Sequence, residues 1–356
     1  MRRRAFLLAP LLLPSLAAAK QPAVTYPAAR RATRLAFPRD HGAHPEFRTE
    51  WWYVTGALDT AQGAAGFQLT FFRSRPGLAE DLASPIAPSQ ILFAHAAVTP
   101  PGKPLRHAER AGRANLGAGF ATADCDVHVG AWTMRRDGAG AGERFRLKVH
   151  DTAFGFDLVL TPTQPLLLQG EHGWSQKGPR PELASHYASW PHLAVEGSLS
   201  LDGTPQAAKG RAWFDHEWSS EVLAAGAVGW DWIGLNLIDG GALMAFRIRD
   251  GTGATLFAHA ALREAGGRLT QFGAGEVSFT PRRRWTSPRS GAHYPVGLEI
   301  RCGPHTIETL PLQDAQEIAA HRPLPVNYWE GLVEIRGTLA GRGYLELTGY
   351  AGALKL

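Results

Sequence analysis

The sequence predicts an all-β protein that is built as a tandem of two related barrels. Helical periodicity is scarce, and short alternating apolar runs such as residues 52–58 and 66–72 are separated by Gly, Pro, Asp and Asn. The heptapeptide at residues 92–98 also recurs at residues 256–262, with six of its seven positions identical. We therefore expect two copies of one β-unit, and a unit of this size that closes on itself is a barrel.

The composition supports a folded chain with a large core. Of the 356 residues, 44% are hydrophobic and 19% are charged, which is not the composition of a disordered protein. The 40 Gly and 25 Pro residues fit the turns that an all-β chain needs. No apolar run is long enough to span a bilayer as a helix, so a polytopic membrane protein is excluded.

Residues 1–19 have the features of a secretory signal peptide: three arginines, a short apolar stretch and an Ala-x-Ala cleavage pattern. The segment also fits the twin-arginine pattern, and the sequence does not separate that route from the Sec route. We therefore expect an exported protein, either periplasmic or secreted. Removing this segment leaves 34 Lys+Arg against 32 Asp+Glu, so the net charge falls from +5 to +2. Nucleic acid is accordingly not expected as a partner.

Two further anchors extend the repeat. Tyr187, at the start of a β-like run, corresponds to Tyr328, and the loop over Ser74–Ser89 is expected to hold the extra residues of the first copy. At an offset of 179 residues, six positions align without a gap: Trp51 with Trp230, Tyr53 with Trp232, Val54 with Ile233, Leu58 with Leu237, Phe67 with Phe246 and Leu69 with Ile248. We predict a linker over 20–34, a first barrel over 35–215 and a second barrel over 216–356.

Four segments resemble the hallmarks of one known family. They are residues 40–56, which contain Glu50-Trp51-Trp52-Tyr53, then His186-Tyr187-Ala188-Ser189, residues 212–219 and Tyr328-Trp329-Glu330-Gly331. Together they resemble the carotenoid 1,2-hydratase (hydroxyneurosporene synthase) and AttH-like family over essentially the whole mature chain. The resemblance implies two lipocalin-like barrels. For the hydratase branch it also implies addition of water to an isolated terminal C=C of an acyclic carotenoid without a cofactor.

The residues can be matched to the needs of such a hydration. An unactivated alkene needs a strong acid, aromatic faces that stabilise a carbocation, and a base that positions water. Asp215, kept protonated by apolar neighbours, is the candidate acid, with His216 or Glu217 as the partner base and Asp231 as a further carboxylate. The candidate ligand-binding residues are aromatic: Trp51, Trp52, Tyr53, Tyr187, Trp213, Trp218, Trp230 and Trp232.

Strand geometry divides these candidates. In an extended segment Asp215 and Glu217 face one way, while His216 and Trp218 face the other, so only one set points into a given lumen. The same run also fits a buried hydrogen-bonded network joining the barrels, with Arg211 or Arg48 satisfying its charges.

Several other residues favour structural roles. Glu50 is expected to be an ion-pair partner. His95 and His259 occur in both copies, and because one active site is expected, packed structural histidines are favoured.

Metal and cofactor sites are not expected. The spacing of His41, His44 and Glu46 is a weak metal pattern without a further ligand. No nucleotide-binding motif is present, and the sequence after Gly173-Trp174-Ser175 does not complete the nucleophile elbow of an α/β-hydrolase. The sequence does not decide whether Cys125 and Cys302 form a disulfide bond.

The sequence thus predicts an exported protein that binds an elongated apolar ligand, a lipid or isoprenoid. If it is an enzyme, the expected class is a cofactor-free hydro-lyase resembling carotenoid 1,2-hydratase. The alternatives are a non-catalytic carrier of hydrophobic ligands in the cell envelope and a carboxylate-dependent hydrolase. Peripheral association with a membrane is left open, and the sequence does not predict the oligomeric state.

Overall fold

The computed structural model describes residues 24–323 and 325–354, so the predicted signal peptide at 1–19 lies outside the described residues. This part of the chain forms β-strands almost throughout, with two short 3-10 helices at Arg39–His41 and Gly140–Gly142. None of its helices is long and apolar enough to cross a membrane. The all-β prediction is confirmed.

The first sheet contains thirteen strands. In chain order they are β1 (Thr49–Thr60), β2 (Gly63–Ser74), β3 (Ile91–Thr99), β4 (Arg106–Ala114), β5 (Gly117–Phe120), β6 (Asp126–Val129), β7 (Trp132–Asp137), β8 (Arg144–His150), β9 (Phe154–Pro162), β10 (Leu167–Leu168), β11 (Trp174–Gln176), β12 (Ala184–Leu201) and β13 (Thr204–Glu221). Pairing of β9 with β12 closes eleven of them into a barrel. Strand β8 has the pattern of a barrel strand, because its side chains alternate strictly between buried and exposed.

The second sheet contains ten strands. They are β14 (Ala227–Leu237), β15 (Ala242–Asp250), β16 (Thr255–Arg263), β17 (Leu269–Phe272), β18 (Val277–Thr286), β19 (His293–Cys302), β20 (His305–Pro311), β21 (Glu317–Ala320), β22 (Val326–Gly337) and β23 (Gly341–Leu347). Strands β17 and β18 lie at the two ends of its strand order, so in the described residues the sheet curls into a half-barrel. The second unit is therefore more open than the closed barrel that we expected.

The strand order shows the duplication directly. In the first sheet a late hairpin lies beside the first strand, in the order β12-β13-β1-β2-β3, and the second sheet repeats this as β22-β23-β14-β15-β16. The heptapeptide copies fall on β3 and β16. The loop over 75–90 between β2 and β3 is much longer than its counterpart at 251–254, as the repeat predicts.

One part of the ungapped alignment is wrong. Thr70 lies opposite Tyr53, whereas Phe246 lies opposite Trp232, so Thr70 is the structural counterpart of Phe246. Phe67 instead packs inside the first barrel. The β-hairpins of the two copies differ in length, and a shift by an odd number of residues moves a side chain to the opposite face of its sheet.

The change of sheet falls later than the predicted boundary between 215 and 216. Strand β13 continues in the first sheet to Glu221, and the second sheet starts at Ala227 with β14. The boundary at 215 would cut one long strand whose residues pair with β1 and β12.

The described residues form five buried apolar clusters, of which three are large. One fills the closed barrel, and a second lies within the curled sheet. The third lies between the two sheets and includes Tyr53, Tyr187, Trp213 and Trp232. Each sheet thus contributes one face to a shared interface, which is called the inter-sheet interface below.

Gly234 on β14 tests how closely the two sheets pack. A Cβ atom there would overlap the indole of Trp232 and approach the indole of Trp213 to 3.1 Å. We expect Gly234→Ala to lower the free energy of unfolding by about 1–3 kcal/mol because the interface is overpacked. Gly275→Ala is the control, since a Cβ there meets nothing within 4 Å. Denaturant melts that place both variants at the wild-type midpoint would contradict close packing at this point.

Candidate functional site

Strand β13 carries two sets of predicted site residues on its two faces. Trp213, Asp215 and Glu217 point into the inter-sheet interface, where they contact Tyr187 and Lys177. His216 and Trp218 point the other way, toward the first barrel, as the alternation of a strand predicts. The acid role predicted for Asp215 therefore depends on its surroundings in the inter-sheet interface.

Asp215 is almost completely buried, with 2% of its surface exposed. Three donors reach its carboxyl group: Tyr187 Oη at 2.6 Å, Ser189 Oγ at 2.5 Å and Trp213 Nε1 at 2.6 Å. These hydrogen bonds favour the charged form, but burial outweighs them and raises the pKa of Asp215 to about 7. A carboxyl group with this pKa keeps a substantial protonated fraction at neutral pH.

Glu217 lies on the same face but in a different electrostatic setting. Its carboxylate pairs with Lys177 Nζ at 2.8 Å and accepts a hydrogen bond from Ser185 Oγ. Lys177 in turn lies over the rings of Tyr187, at 4.6 Å, and Phe246, at 4.2 Å. The predicted network therefore exists, and Lys177 satisfies its charge where we had expected Arg211 or Arg48.

Aromatic residues cross the interface from both sheets. Trp232 Nε1 donates to Tyr187 Oη at 3.1 Å, which extends the hydrogen-bond chain from Asp215 into the second sheet. Tyr53 donates in the opposite direction, to Glu330 of the second sheet. The ring of Trp232 meets Tyr53 and Trp213 edge-on, with centroid distances of 5.3 and 6.2 Å. Four predicted ligand-binding residues are thus brought together around Asp215.

Sequence reasoning missed three charged residues of the interface. Glu330 on β22 and Glu346 on β23 lie directly opposite each other, and Lys177 precedes β12. Trp230 Nε1 donates to Glu346 Oε2 at 2.9 Å. The alternation of Tyr344-Leu345-Glu346-Leu347 contained a usable signal, because it sets Glu346 on the face opposite the core residues of β23. Lys177 lies in an irregular segment and had no such signal.

One side of the interface is lined by partly exposed apolar residues. Trp51, Leu223, Trp230 and Phe257 pack against the buried inter-sheet core without being fully covered. Trp51 is directly opposite Glu217 in the strand register, so it lies beside the Glu217–Lys177 pair. These four partly exposed residues are called the rim below.

Asp231 does not belong to this site, which corrects its prediction as a catalytic carboxylate. It is fully buried on the other face of β14, where it pairs with Arg247 Nε at 2.7 Å and Arg249 Nε at 3.2 Å. Tyr350 Oη also donates to it. The alternation that sends Trp230 and Trp232 into the interface sends Asp231 into the curled sheet.

His216 is also wrong as the partner base of Asp215, because the two side chains lie on opposite faces of β13. His216 Nε2 contacts Glu50 Oε1 at 2.9 Å, and Nδ1 contacts the carbonyl of Asp40 at 3.0 Å. Trp52 stacks on His216 with a centroid distance of 4.8 Å, and Trp218 stacks on His44 at 3.7 Å. Trp52 and Trp218 therefore line the first barrel and not the interface.

Glu50 is the centre of a buried ion-pair network, as expected. Its Oε2 receives Arg73 Nε at 2.8 Å, and its Oε1 lies 2.8 Å from His44 Nδ1. Burial lowers the pKa of His44, but the hydrogen bonds that its imidazole donates to the carboxylates of Asp40 and Glu50 outweigh burial and raise this pKa. The cationic partners hold the pKa of Glu50 well below its usual range in spite of burial.

Three residues of the Glu50 network have the spacing of metal ligands. One ligand atom from each of His44, Glu50 and His216 lies within 4.8 Å of the others. Glu50 is already saturated by both imidazoles, by the His44 backbone amide and by Arg73. Because a guanidinium at 2.8 Å occupies the position next to the carboxylate, these residues do not fit a metal ion. Glu46, from the weak sequence pattern, does not join this group of atoms.

The repeated histidines both lie at the inter-sheet interface. His95 Nδ1 contacts Tyr328 Oη of the second sheet at 2.9 Å. Its counterpart His259 lies near Lys177, and the ring centroids of His259 and Phe246 are 6.1 Å apart. Burial lowers the pKa of each to about 4, so both imidazoles are neutral at physiological pH. Cys125 and Cys302 are free thiols buried in separate cores.

Comparison with known proteins shows the family of this chain. The AttH-like family profile matches residues 28–350. The chain belongs to the AttH-like family. A crystal structure of a protein from Nitrosomonas europaea assigned to AttH superposes on it with a TM-score of 0.84 and 42% identity, covering 91% of this chain and 99% of that chain. No functionally curated protein matches the sequence.

Two distant structures share the fold of this AttH-like chain. Kievitone hydratase from Nectria haematococca has 15% identity and a TM-score of 0.66, over 93% of this chain and 97% of that one. CghA in complex with Sch210972 has 15% identity and a TM-score of 0.52, over 86% and 89%. The lipocalin-like two-unit architecture is thus confirmed.

Arg73 should be essential for the stability of the first barrel. Both Arg73 and Glu50 have 0% exposure, so Arg73→Met leaves a buried carboxylate without its cation. We expect a loss of about 3–5 kcal/mol in the free energy of unfolding, partly recovered when Glu50→Gln is added. Arg268→Met, which removes an exposed pair with Glu264, should change little. Equal melts for Arg73→Met and Arg268→Met would refute the role given to this network.

The raised pKa of Asp215 predicts a pH-dependent stability. Between its unfolded pKa near 4 and its folded pKa of about 7, the folded protein binds the proton more tightly. The stabilisation is complete below pH ~4 and is lost as the pH rises through 7, with a slope of up to about 1.4 kcal/mol per unit.

Asp215→Asn should remove this contribution, so its stability relative to wild type rises from pH 4 to pH 8. Asp157→Asn, at an exposed position of β9, is the control. Urea melts across this range measure the effect. A constant difference between Asp215→Asn and wild type would show that Asp215 does not titrate in this window.

Proposed function

We propose that the inter-sheet interface is the active site of a cofactor-free hydro-lyase that adds water to an isolated C=C of an elongated apolar ligand. Asp215 is the acid. The observation that carries the proposal is a carboxyl group that burial keeps partly protonated at neutral pH, set among aromatic rings. The signal-like pattern of residues 1–19 supports action outside the cytoplasm.

The first step requires a proton donor and a wall that tolerates positive charge. Asp215 donates its proton to one alkene carbon, and the positive charge develops on the other carbon. The faces of Trp232, Trp213 and Tyr53 can stabilise that charge through their ring quadrupoles. Tyr187, Ser189 and Trp213 then hold the newly formed Asp215 carboxylate with three hydrogen bonds.

The surroundings favour an apolar substrate. The rim of Trp51, Leu223, Trp230 and Phe257 exposes apolar surface beside the Glu217–Lys177 pair. Asp215 itself is 2% exposed, so a ligand must separate the rim side chains to reach it. Kievitone hydratase, which is named for a hydration, has the same two-unit architecture, and this supports a hydratase on this fold.

The arrangement disfavours a hydrolase that uses a nucleophilic serine. Ser185 and Ser189 donate to Glu217 and Asp215, and His186 lies on the other face of β12, against Trp218. A nucleophilic serine needs an imidazole within hydrogen-bond reach, and neither serine has His186 there. A carrier role remains as a second candidate, because the fully hydrogen-bonded Asp215 also suits a binding site without turnover.

Turnover separates the enzyme from the carrier. Purified wild-type protein is incubated with squalene or lycopene in water labelled with heavy oxygen, and mass spectrometry detects labelled alcohol. We expect wild-type turnover and a loss of roughly 10²-fold or more in Asp215→Asn, with ligand binding retained. Asp157→Asn should keep wild-type activity. Binding of either probe by the wild type without any labelled product would instead favour the carrier.

A further inference from the structure

The inter-sheet interface has an internal two-fold correspondence that extends to its carboxyl groups. Asp215 on β13 lies opposite Tyr53 on β1, and Glu346 on β23 lies opposite Trp232 on β14. Because β13 and β1 correspond to β23 and β14 in strand order, Glu346 occupies in the second sheet the position that Asp215 has in the first.

The next strand differs between the two copies. Ser189 on β12 lies opposite Asp215, whereas Glu330 on β22 lies opposite Glu346. Directly opposed residues on neighbouring strands have Cβ atoms about 4.5–5.5 Å apart and point to the same face. The second sheet therefore holds two adjacent carboxyl groups where the first holds a carboxyl group and a hydroxyl group.

No cation neutralises this pair within the part of the chain that the structure describes. Glu330 is 2% exposed and accepts from Tyr53 Oη, while the partly buried Glu346 accepts from Trp230 Nε1 at 2.9 Å. Three other buried acids, Glu50, Glu217 and Asp231, each have a cationic partner. Asp215 resembles the Glu330–Glu346 pair instead, because among the described residues its carboxyl group is held by hydroxyl and indole donors alone.

Adjacent buried carboxyl groups without a cation cannot both ionise at low cost. Burial, with a contribution from the charge of Asp215, raises the pKa of Glu346 to about 7. Burial and the charge of Glu346 raise the pKa of Glu330 well above its usual range. Near neutral pH the pair is expected to hold one proton and one negative charge.

We propose that Glu330 and Glu346 form a second proton-holding centre of the interface, which accepts the proton of the added water while Asp215 donates the proton to carbon. The inference rests on the proposed function. Glu217 is a poorer acceptor because Lys177 and Ser185 already hold its carboxylate. Glu346 keeps partial exposure next to the rim residue Trp230, where water can reach it.

The step balances without a further reactant. The π electrons of the alkene form a C–H bond with the proton of Asp215, which leaves a carboxylate and a carbocation. A lone pair of water forms the C–O bond, and the resulting oxonium ion passes one proton to the carboxylate of the Glu330–Glu346 pair. The product is the neutral alcohol. The pair then releases a proton and Asp215 regains one through solvent, which restores the starting state.

Several other titratable groups share the electrostatic environment of the Glu330–Glu346 pair. From the first sheet Tyr53, Tyr187 and Glu217 face the pair, and burial raises the pKa of both tyrosines well above the usual value. From the second sheet Tyr328 and Tyr344 face it, and burial raises their pKa values as well. The remaining charged groups nearby are Lys177, Asp215 and Asp231.

The shared proton can be tested without any substrate. Glu346→Gln and Glu330→Gln each remove the adjacent like charge, so both variants should gain stability relative to wild type as the pH rises from 5 to 9. Glu334→Gln, at an exposed position of the same strand β22, is the matched control and should follow wild type. Urea melts measure the change, and the infrared C=O band of a protonated carboxyl at pH 7 should weaken in Glu346→Gln.

Activity tests the role of the pair. With the squalene or lycopene assay, Glu346→Gln should lower kcat by roughly 10²-fold with little change in KM, and should shift the lower pH limit of kcat. A flat stability difference for both Gln variants overturns the shared proton. Full kcat in both variants, with an active wild type, overturns the acceptor role. A wild type that converts neither probe removes the proposed function, while the melts still decide the shared proton.

Discussion

The packing of one five-stranded face against its duplicate is the constraint on which the rest of the structure depends. In both sheets a late hairpin pairs beside the first strand, and this brings polar residues of β12, β13, β22 and β23 to one largely buried interface. Asp215 and Glu330 would be ordinary ionised acids on a solvated sheet. Between two sheets lined by tyrosine and tryptophan, the cost of desolvation is what raises their pKa values.

The duplication also explains how one interface can contain unlike groups. Equivalent positions start from the same strand and the same direction, so a substitution in one copy changes the chemistry without moving the backbone. Ser189 in the first copy corresponds to Glu330 in the second. Glu217 corresponds to Thr348, because Glu217 lies opposite Trp51 and Thr348 lies beside Trp230, the counterpart of Trp51. His95 and His259 are the same residue type in both copies, whereas Ser189 and Glu330 differ between the copies.

Much of the fold could be predicted from the sequence, because strand alternation and the repeated heptapeptide are local signals. The same alternation predicts that the side chains of Asp215 and His216 point to opposite faces of β13. The site as a whole could not be predicted, since Glu330, Glu346 and Lys177 reach Asp215 only through the packing of sheets that are far apart in sequence. Asp231 adjoins Trp230 and Trp232 in sequence, but the alternation of β14 turns its side chain to the opposite face, where Arg247 pairs with it.

Strand β13 shows how stability and chemistry can be divided between two faces of one element. On the barrel side, His216 joins Glu50, Arg73 and His44 in a network in which the carboxylate has cationic partners, and such a network resists change. On the interface side Asp215 has hydrogen-bond donors but no cation, so its proton remains transferable. The face toward the barrel is thus held by ion pairs, while the face toward the interface carries a carboxyl group that burial keeps partly protonated. The same logic applies to β14, where the ion-paired Asp231 lies behind Trp232.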